Sequence, residues 1–214
     1  MRYFEDHSDS VAAGERLWRN SPTSFGWVAI AFHWTIALLF LAQLALGYVM
    51  SRNDIDPVLQ FDLFQYHKSI GFLVLALAAP RFLWSVFSRK PQPVDGEGPV
   101  SRFAARAAHV ALLFLTLAVP LAGWAVASTS PLQIPSYVFD LVVVPGLPLA
   151  ISDQAEAFWT GVHATLAYLA AVIVFLHVTA ALWHHFIRKD STLRRMLPSP
   201  AAANNSRKTV SSRK

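Results

Sequence analysis

Four long apolar runs, separated by short polar and charged segments, set the pattern of this chain. A bilayer core of about 30 Å needs about 20 consecutive apolar residues in helical form, and each run reaches that length. Trp27–Met50 is wholly uncharged, and residues 69–87 are apolar except for Arg81. Residues 107–127 carry His109 as their one titratable group, while 159–187 hold four histidines with no acid or fixed cation. A fifth apolar stretch, 138–151, is too short to span and is broken by Asp140, Pro145, Gly146 and Pro148. It reads as a loop that packs at the membrane interface. The pattern therefore predicts an all-α fold, an integral membrane four-helix bundle.

The cationic residues orient that bundle, because Lys- and Arg-rich loops stay on the cytoplasmic side. Of 18 such residues, three precede the first run, five lie between Arg81 and Arg106, and eight follow the fourth run. Arg52 and Lys68 alone fall on the opposite side, and 128–158 has none. Both termini are thus expected in the cytoplasm, with two loops facing out, in a multi-pass membrane protein. Trp27, Trp84, Trp124, Trp159 and Trp183 lie near the expected helix ends and suit an interfacial belt. Residues 1–24 form an arm of mixed charge with no signal-peptide pattern, so the first span itself must direct insertion. Residues 25–198 form the membrane domain, and the small, polar, basic 199–214 read as a disordered tail.

Composition agrees and narrows the chemistry. With 54% apolar and 14% charged residues, the chain departs from soluble composition. The absence of cysteine excludes disulfides, iron–sulfur clusters, thiolate-ligated haem and covalent haem attachment. The net charge of +5 sits in clusters between apolar runs rather than on one face, which argues against nucleic acid as a partner.

Ionisable side chains inside spans are costly and usually face the bundle interior. His163 and His177 are 14 residues apart on the fourth helix, about 21 Å along the axis and within about 40° of one face. One helix can therefore serve two stacked sites. Following the chain directions, His177 comes level with His33, and His163 with His67. Facing imidazoles without a nearby acid suit the two axial positions of a haem iron; zinc would want three or four ligands at one depth. The same interval recurs elsewhere, from His33 to Gly47, from His109 to Gly123 and from His67 to Arg81. Glycines at Gly47, Gly71 and Gly123 offer clearance for a macrocycle, or serve helix contact. A buried Arg81 needs an anion such as a haem propionate, unless it snorkels to the surface.

At these residues the chain resembles the bacterial cytochrome b561 family, di-haem proteins related to the cytochrome b subunits of nickel–iron hydrogenases. The resemblance runs through AFHWTIALL, YHKSIG, the early His109 of helix three, VHATLAYL and LHVTAALWHHFIRKDSTLRRM. It implies two non-covalent haems b with His33, His67, His163 and His177 as axial ligands to iron, and electron transfer between the periplasmic face and the quinone pool.

His184, seven residues beyond His177 and on almost the same face, is placed to meet a quinone carbonyl, or else snorkels to the interface. His109 is a further candidate for quinone or propionate, and His185, rotated away from that face, for a headgroup or propionate. Family members similar in length act as superoxide oxidases that reduce ubiquinone, which implies an exposed haem edge and a positive field outside. Lys68, beside His67, and Arg52 are the outer cations that could draw in the anion, although Lys68 could equally pair with Asp54, Asp56 or Asp62. The alternative is a membrane-anchor subunit that accepts electrons from a periplasmic dehydrogenase or hydrogenase.

Overall fold

The computed structural model describes residues 18–52, 54–92 and 98–197. It contains α1 (Trp27–Met50), α2 (Pro57–Phe87), α3 (Pro99–Thr129), a hairpin of β1 (Ser136–Val138) and β2 (Val142–Val144), and α4 (Asp153–Trp183). α4 runs on into a π-helical turn, His184–Arg188, and a 3₁₀ turn follows at Arg194–Met196. All four helices are long and apolar enough to cross a membrane. The tail at 199–214 and most of the N-terminal arm lie outside the described residues.

The outward faces confirm the solvent. Leu38, Phe114, Tyr168 and Phe175 are each more than 60% exposed, an arrangement that water would penalise and hydrocarbon does not. The four helices are an all-α membrane bundle.

α1 starts and stops where its apolar run does, but the other helices outrun theirs. α2 begins at Pro57 rather than at 69, because Asp56 caps it: its Oδ1 accepts from the amides of Val58 and Leu59 at 3.0 and 3.1 Å, and proline suits the first helical position. His67 is therefore ten residues inside α2 and not at its start, which corrects the sequence reading. α3 begins at Pro99, likewise with proline in its first turn. α4 is capped by Ser152, whose Oγ accepts from Ala155 at 3.1 Å, with Asp153 and Glu156 in the first turn, where acids complement the helix dipole.

The segment read as an interfacial loop is a two-stranded antiparallel hairpin with Tyr137 opposite Val143. Phe139 and Asp140 both take positive φ, 52° and 56°, in its turn. A bulky residue in that conformation costs about 1 kcal/mol, and Ser69 on α2 holds it there. The Ser69 hydroxyl accepts from the Phe139 amide at 3.1 Å and lies 2.9 Å from the Tyr137 carbonyl. The hairpin is thus fastened two residues beyond His67.

Sequential helices pack side by side, whereas the backbones of α1 and α4, and of α2 and α4, make few close approaches. The core midway along the bundle is small. Phe40, Val74, Thr116 and Ala170 are all buried, and Phe40 and Ala170 belong to one cluster with Leu115 and Val119.

Candidate functional site

The interval of 14 residues turns into two layers. At the end of the bundle where the described residues begin and end, here the terminal end, stand His33, Arg81, His109 and His177. At the opposite, hairpin end stand Gly47, His67, Gly123 and His163. Each helix supplies one group to each layer, and its buried midpoint residue, Phe40, Val74, Thr116 or Ala170, lies seven positions from both. At about 1.5 Å per residue this is a partition about 10 Å from either layer.

In the hairpin-end layer the rings of His67 and His163 have centroids 6.0 Å apart. Nδ1 of His163 is 2.9 Å from the Val119 carbonyl; a carbonyl can only accept, so Nδ1 carries the proton and Nε2 keeps a free lone pair. The two glycines sit against these rings. A Cβ on Gly123 would lie 3.1 Å from Cε1 of His163, and one on Gly47 would lie 3.4 Å from Cε1 of His67. Gly71 faces something else: its Cβ would meet Nε2 of Gln43 at 3.3 Å. That amide donates to the His67 carbonyl at 2.8 Å, a link with no signal in the hydropathy pattern. Nδ1 of His67 and Oε1 of Gln43 are buried without partners.

In the terminal-end layer the rings of His33 and His177 are 6.3 Å apart, and His109 is 5.3 Å from His177. Arg81 points at the same place, its Nη2 3.3 Å from Nδ1 of His33. Among the described residues no carboxylate is within ion-pair distance of this guanidinium, since the ion pairs are Arg52 with Asp54 and His184 with Asp190. Arg81 does not snorkel to the end of the bundle. No group of three or more metal-ligating side chains forms a compact metal site among the described residues.

The separations themselves test for a haem. With metal–imidazole bonds of about 2 Å and each ring centre about 1 Å beyond its bonded nitrogen, two imidazoles on opposite sides of one metal have centroids about 6 Å apart. Both pairs meet that distance, and each spans helices whose backbones stay apart, α1 to α4 and α2 to α4. The residues present fit a haem at each pair, which His33 and His177, or His67 and His163, would hold.

The outer cations are placed differently from expectation. Arg52 is not a free charge: Nε and Nη2 grip both oxygens of Asp54 at 2.8 and 2.6 Å, holding that carboxyl below the usual carboxylate range. Lys68 pairs with none of the three aspartates. Asp54 is taken by Arg52 and Asp56 caps α2, so Lys68 reaches across to the Pro135 carbonyl at 3.2 Å, tying α2 to the start of the hairpin. Beyond the terminal-end layer, Nδ1 of His184 is 2.6 Å from Oδ2 of Asp190. Asp190 escaped the sequence reading, although it is the first acid after Glu156. Nδ1 of His185 is buried without a partner.

Comparison with known proteins gives this geometry its context. The family model described as prokaryotic cytochrome b561 matches residues 24–199. The chain is 35% identical to cytochrome b561 homolog 2 of Escherichia coli (strain K12) over 83% of its own length and 93% of that protein. It is 28% identical to the "Probable superoxide oxidase CybB" of Yersinia pestis, over 79% of this chain and 93% of the relative. Cytochrome b561 homolog 1 of the same Escherichia coli strain is 25% identical over 80% of this chain and 92% of the relative. The chain belongs to the prokaryotic cytochrome b561 family and is a multi-pass, haem-b electron-transfer protein of the bacterial inner membrane.

Proposed function

We propose that the chain carries two haems b, one at each layer, and moves electrons from a donor outside the cell membrane to ubiquinone at the cytoplasmic end. The observation that carries this reading is the pair of imidazole separations, 6.3 and 6.0 Å, at two levels of one bundle. In this reading His33 and His177 hold the haem of the terminal end, and His67 and His163 that of the hairpin end. The charge distribution favours cytoplasmic termini, and in this reading the hairpin faces out.

Bound there, each haem supplies an iron that takes up and releases one electron. The protein does the rest. Val119 fixes the tautomer of His163 and so points Nε2 into the gap. Arg81 has no lone pair and can only donate. With a haem held by His33, the ring proton of His33 would sit on Nδ1, and Arg81 would donate instead to an anion such as a haem propionate. His184, about 10 Å beyond His177, offers an imidazole to a quinone carbonyl at the cytoplasmic surface.

For the donor, the resemblance to a protein named as a superoxide oxidase favours superoxide, with Lys68 beside the outer haem as the local cation. A second reading is favoured by the outer surface itself. Arg52 and Lys68 face six acids at this end, Asp54, Asp56, Asp62, Asp140, Asp153 and Glu156, and the hairpin presents Leu141, Val142 and Val143 at 83%, 60% and 55% exposure. Such a face suits a protein partner, a periplasmic dehydrogenase or hydrogenase, better than a small anion.

The deciding experiment purifies the chain alone, counts haems, and mixes it with superoxide in the presence of ubiquinone. Two haems per chain, reduced by superoxide and reoxidised by quinone, are expected. One haem per chain overturns the two-site reading. Two haems that superoxide leaves oxidised, in a chain that co-purifies with a dehydrogenase, establish the anchor subunit.

A further inference from the structure

α4 does not simply stop beyond His177. Its last α-helical residue is Trp183, after which the chain widens into the π-helical turn His184–Arg188, a winding that recurs at functional sites. Lys189 then takes a left-handed conformation, φ 54°, with its amide on the His184 carbonyl, and the Asp190 amide reaches the same carbonyl at 3.2 Å. A left-handed residue at this place turns the chain back over the helix end. Lysine adopts it at a cost that glycine does not bear.

The result is to return Asp190 to His184. Oδ2 accepts from Nδ1–H at 2.6 Å, with the two side chains 14% and 12% exposed. The other oxygen, Oδ1, accepts from the Thr192 amide at 2.9 Å, which fixes the plane of the carboxylate. Burial pushes this carboxyl up, but hydrogen bonds from Thr192 and His184 outweigh it and hold it at about 2. Asp190 is therefore an anion at neutral pH.

We infer that Asp190 is a positioning residue for proton transfer at the quinone site: it pins a proton on Nδ1 of His184 and leaves Nε2 as the atom that exchanges a proton with the quinone carbonyl. This rests on the reading that His184 meets the quinone. A carboxylate behind an imidazole orients the ring and selects its tautomer without itself taking the proton. Conversion of quinone to quinol takes two electrons, which the electron-transfer activity of the bundle delivers, and two protons. One passes from Nε2 of a doubly protonated His184 to a carbonyl oxygen, and the other comes from cytoplasmic water, which also restores Nε2–H. Nδ1–H stays on Asp190 throughout.

The test uses the full chain with its haems in lipid nanodiscs, reduced beforehand and mixed with a short-chain ubiquinone. Asp190→Asn should keep the haem spectra and KM for quinone yet slow reoxidation at least tenfold. Asp190→Glu, which keeps a carboxylate, should recover most of the rate. His184→Ala should be at least as slow, and the double variant no slower than His184→Ala, because residues acting as one unit are not additive. If His184→Ala is slow while Asp190→Asn keeps the normal rate, the positioning role is overturned and the quinone reading stands. If His184→Ala itself runs at the normal rate, the quinone reading fails and the inference with it. Should Asp190→Asn not assemble, infrared difference spectra of the unaltered chain decide. Quinone reduction must shift an imidazole band and a carboxylate band together, both lost in His184→Ala; no coupled shift overturns the proposal.

Discussion

The two layers are cut from the same four helices at the same interval, yet their corners are filled differently. At the hairpin end the positions beside the imidazoles are glycines, and His163 gives its spare proton to a backbone carbonyl. At the terminal end the same positions hold a guanidinium and a third imidazole. One layer makes room and the other supplies charge and hydrogen bonds. A site that only relays electrons needs a well-seated macrocycle, while a site next to proton chemistry gains from groups that compensate anions. Under the proposed function, that contrast matches a relay at the hairpin end and coupled chemistry at the terminal end.

The largest effect that could break this comparison is loss of a whole cofactor. His67→Ala or His163→Ala should each lower the haem count from two to one and remove the same spectral component. His33→Ala and His177→Ala should remove the other. Redox titration of the four variants checks it; a shared component between His33→Ala and His163→Ala would show that the layers exchange partners.

Next comes the clearance at the glycines. Gly123→Ala puts a methyl group 3.1 Å from the His163 ring, tighter than ordinary contact, whereas Gly47→Ala meets His67 at 3.4 Å. Overpacking costs about 1–3 kcal/mol, so Gly123→Ala should loosen the hairpin-end haem while Gly47→Ala leaves it nearly unchanged. Haem retention during detergent titration distinguishes them.

Arg81→Gln sharpens the other side. Removing a buried cation favours the oxidised iron, so the terminal-end haem should fall in potential by roughly 59 mV, about a tenfold change in equilibrium constant for one electron. The hairpin-end haem should stay put. Equal shifts in both would mean that Arg81 acts on the whole bundle rather than on one layer.

The smallest expected effect concerns the outer cations. Lys68→Glu should slow reduction by superoxide several-fold, while the joint change Arg52→Ala with Asp54→Ala, which removes a neutral ion pair, changes it less than twofold. Stopped-flow mixing with superoxide measures both.

How much of this was visible in the chain varies with the physics behind each feature. The spans were legible because a bilayer demands a minimum apolar length, and α1 matches its run at both ends. The start of α2 was not, because hydropathy weighs Gln60, Asp62 and Gln65 as polar while the Asp56–Pro57 pair is the true signal. The hairpin was missed because Phe139 and Asp140 replace the glycine or asparagine that usually marks positive φ. The layers followed from helical rise alone, which holds in straight helices. Asp190 was hidden because the 3.6-residue period ends at Trp183, and no periodic argument carries through a π turn and a left-handed lysine.

The interval of 14 also makes helix length a quantity the chain is not free to change. Inserting one residue between His163 and His177 would turn the second imidazole by about 100° and shift it by about 1.5 Å, and every other helix would still be cut to the old measure. Growth or shrinkage of the spans could be absorbed solely by matching changes in all four at once. Variation in length is thereby confined to the connections outside α1 to α4, and even the hairpin, which lies in one of them, can vary only where it keeps its anchors on Lys68 and Ser69 beside His67.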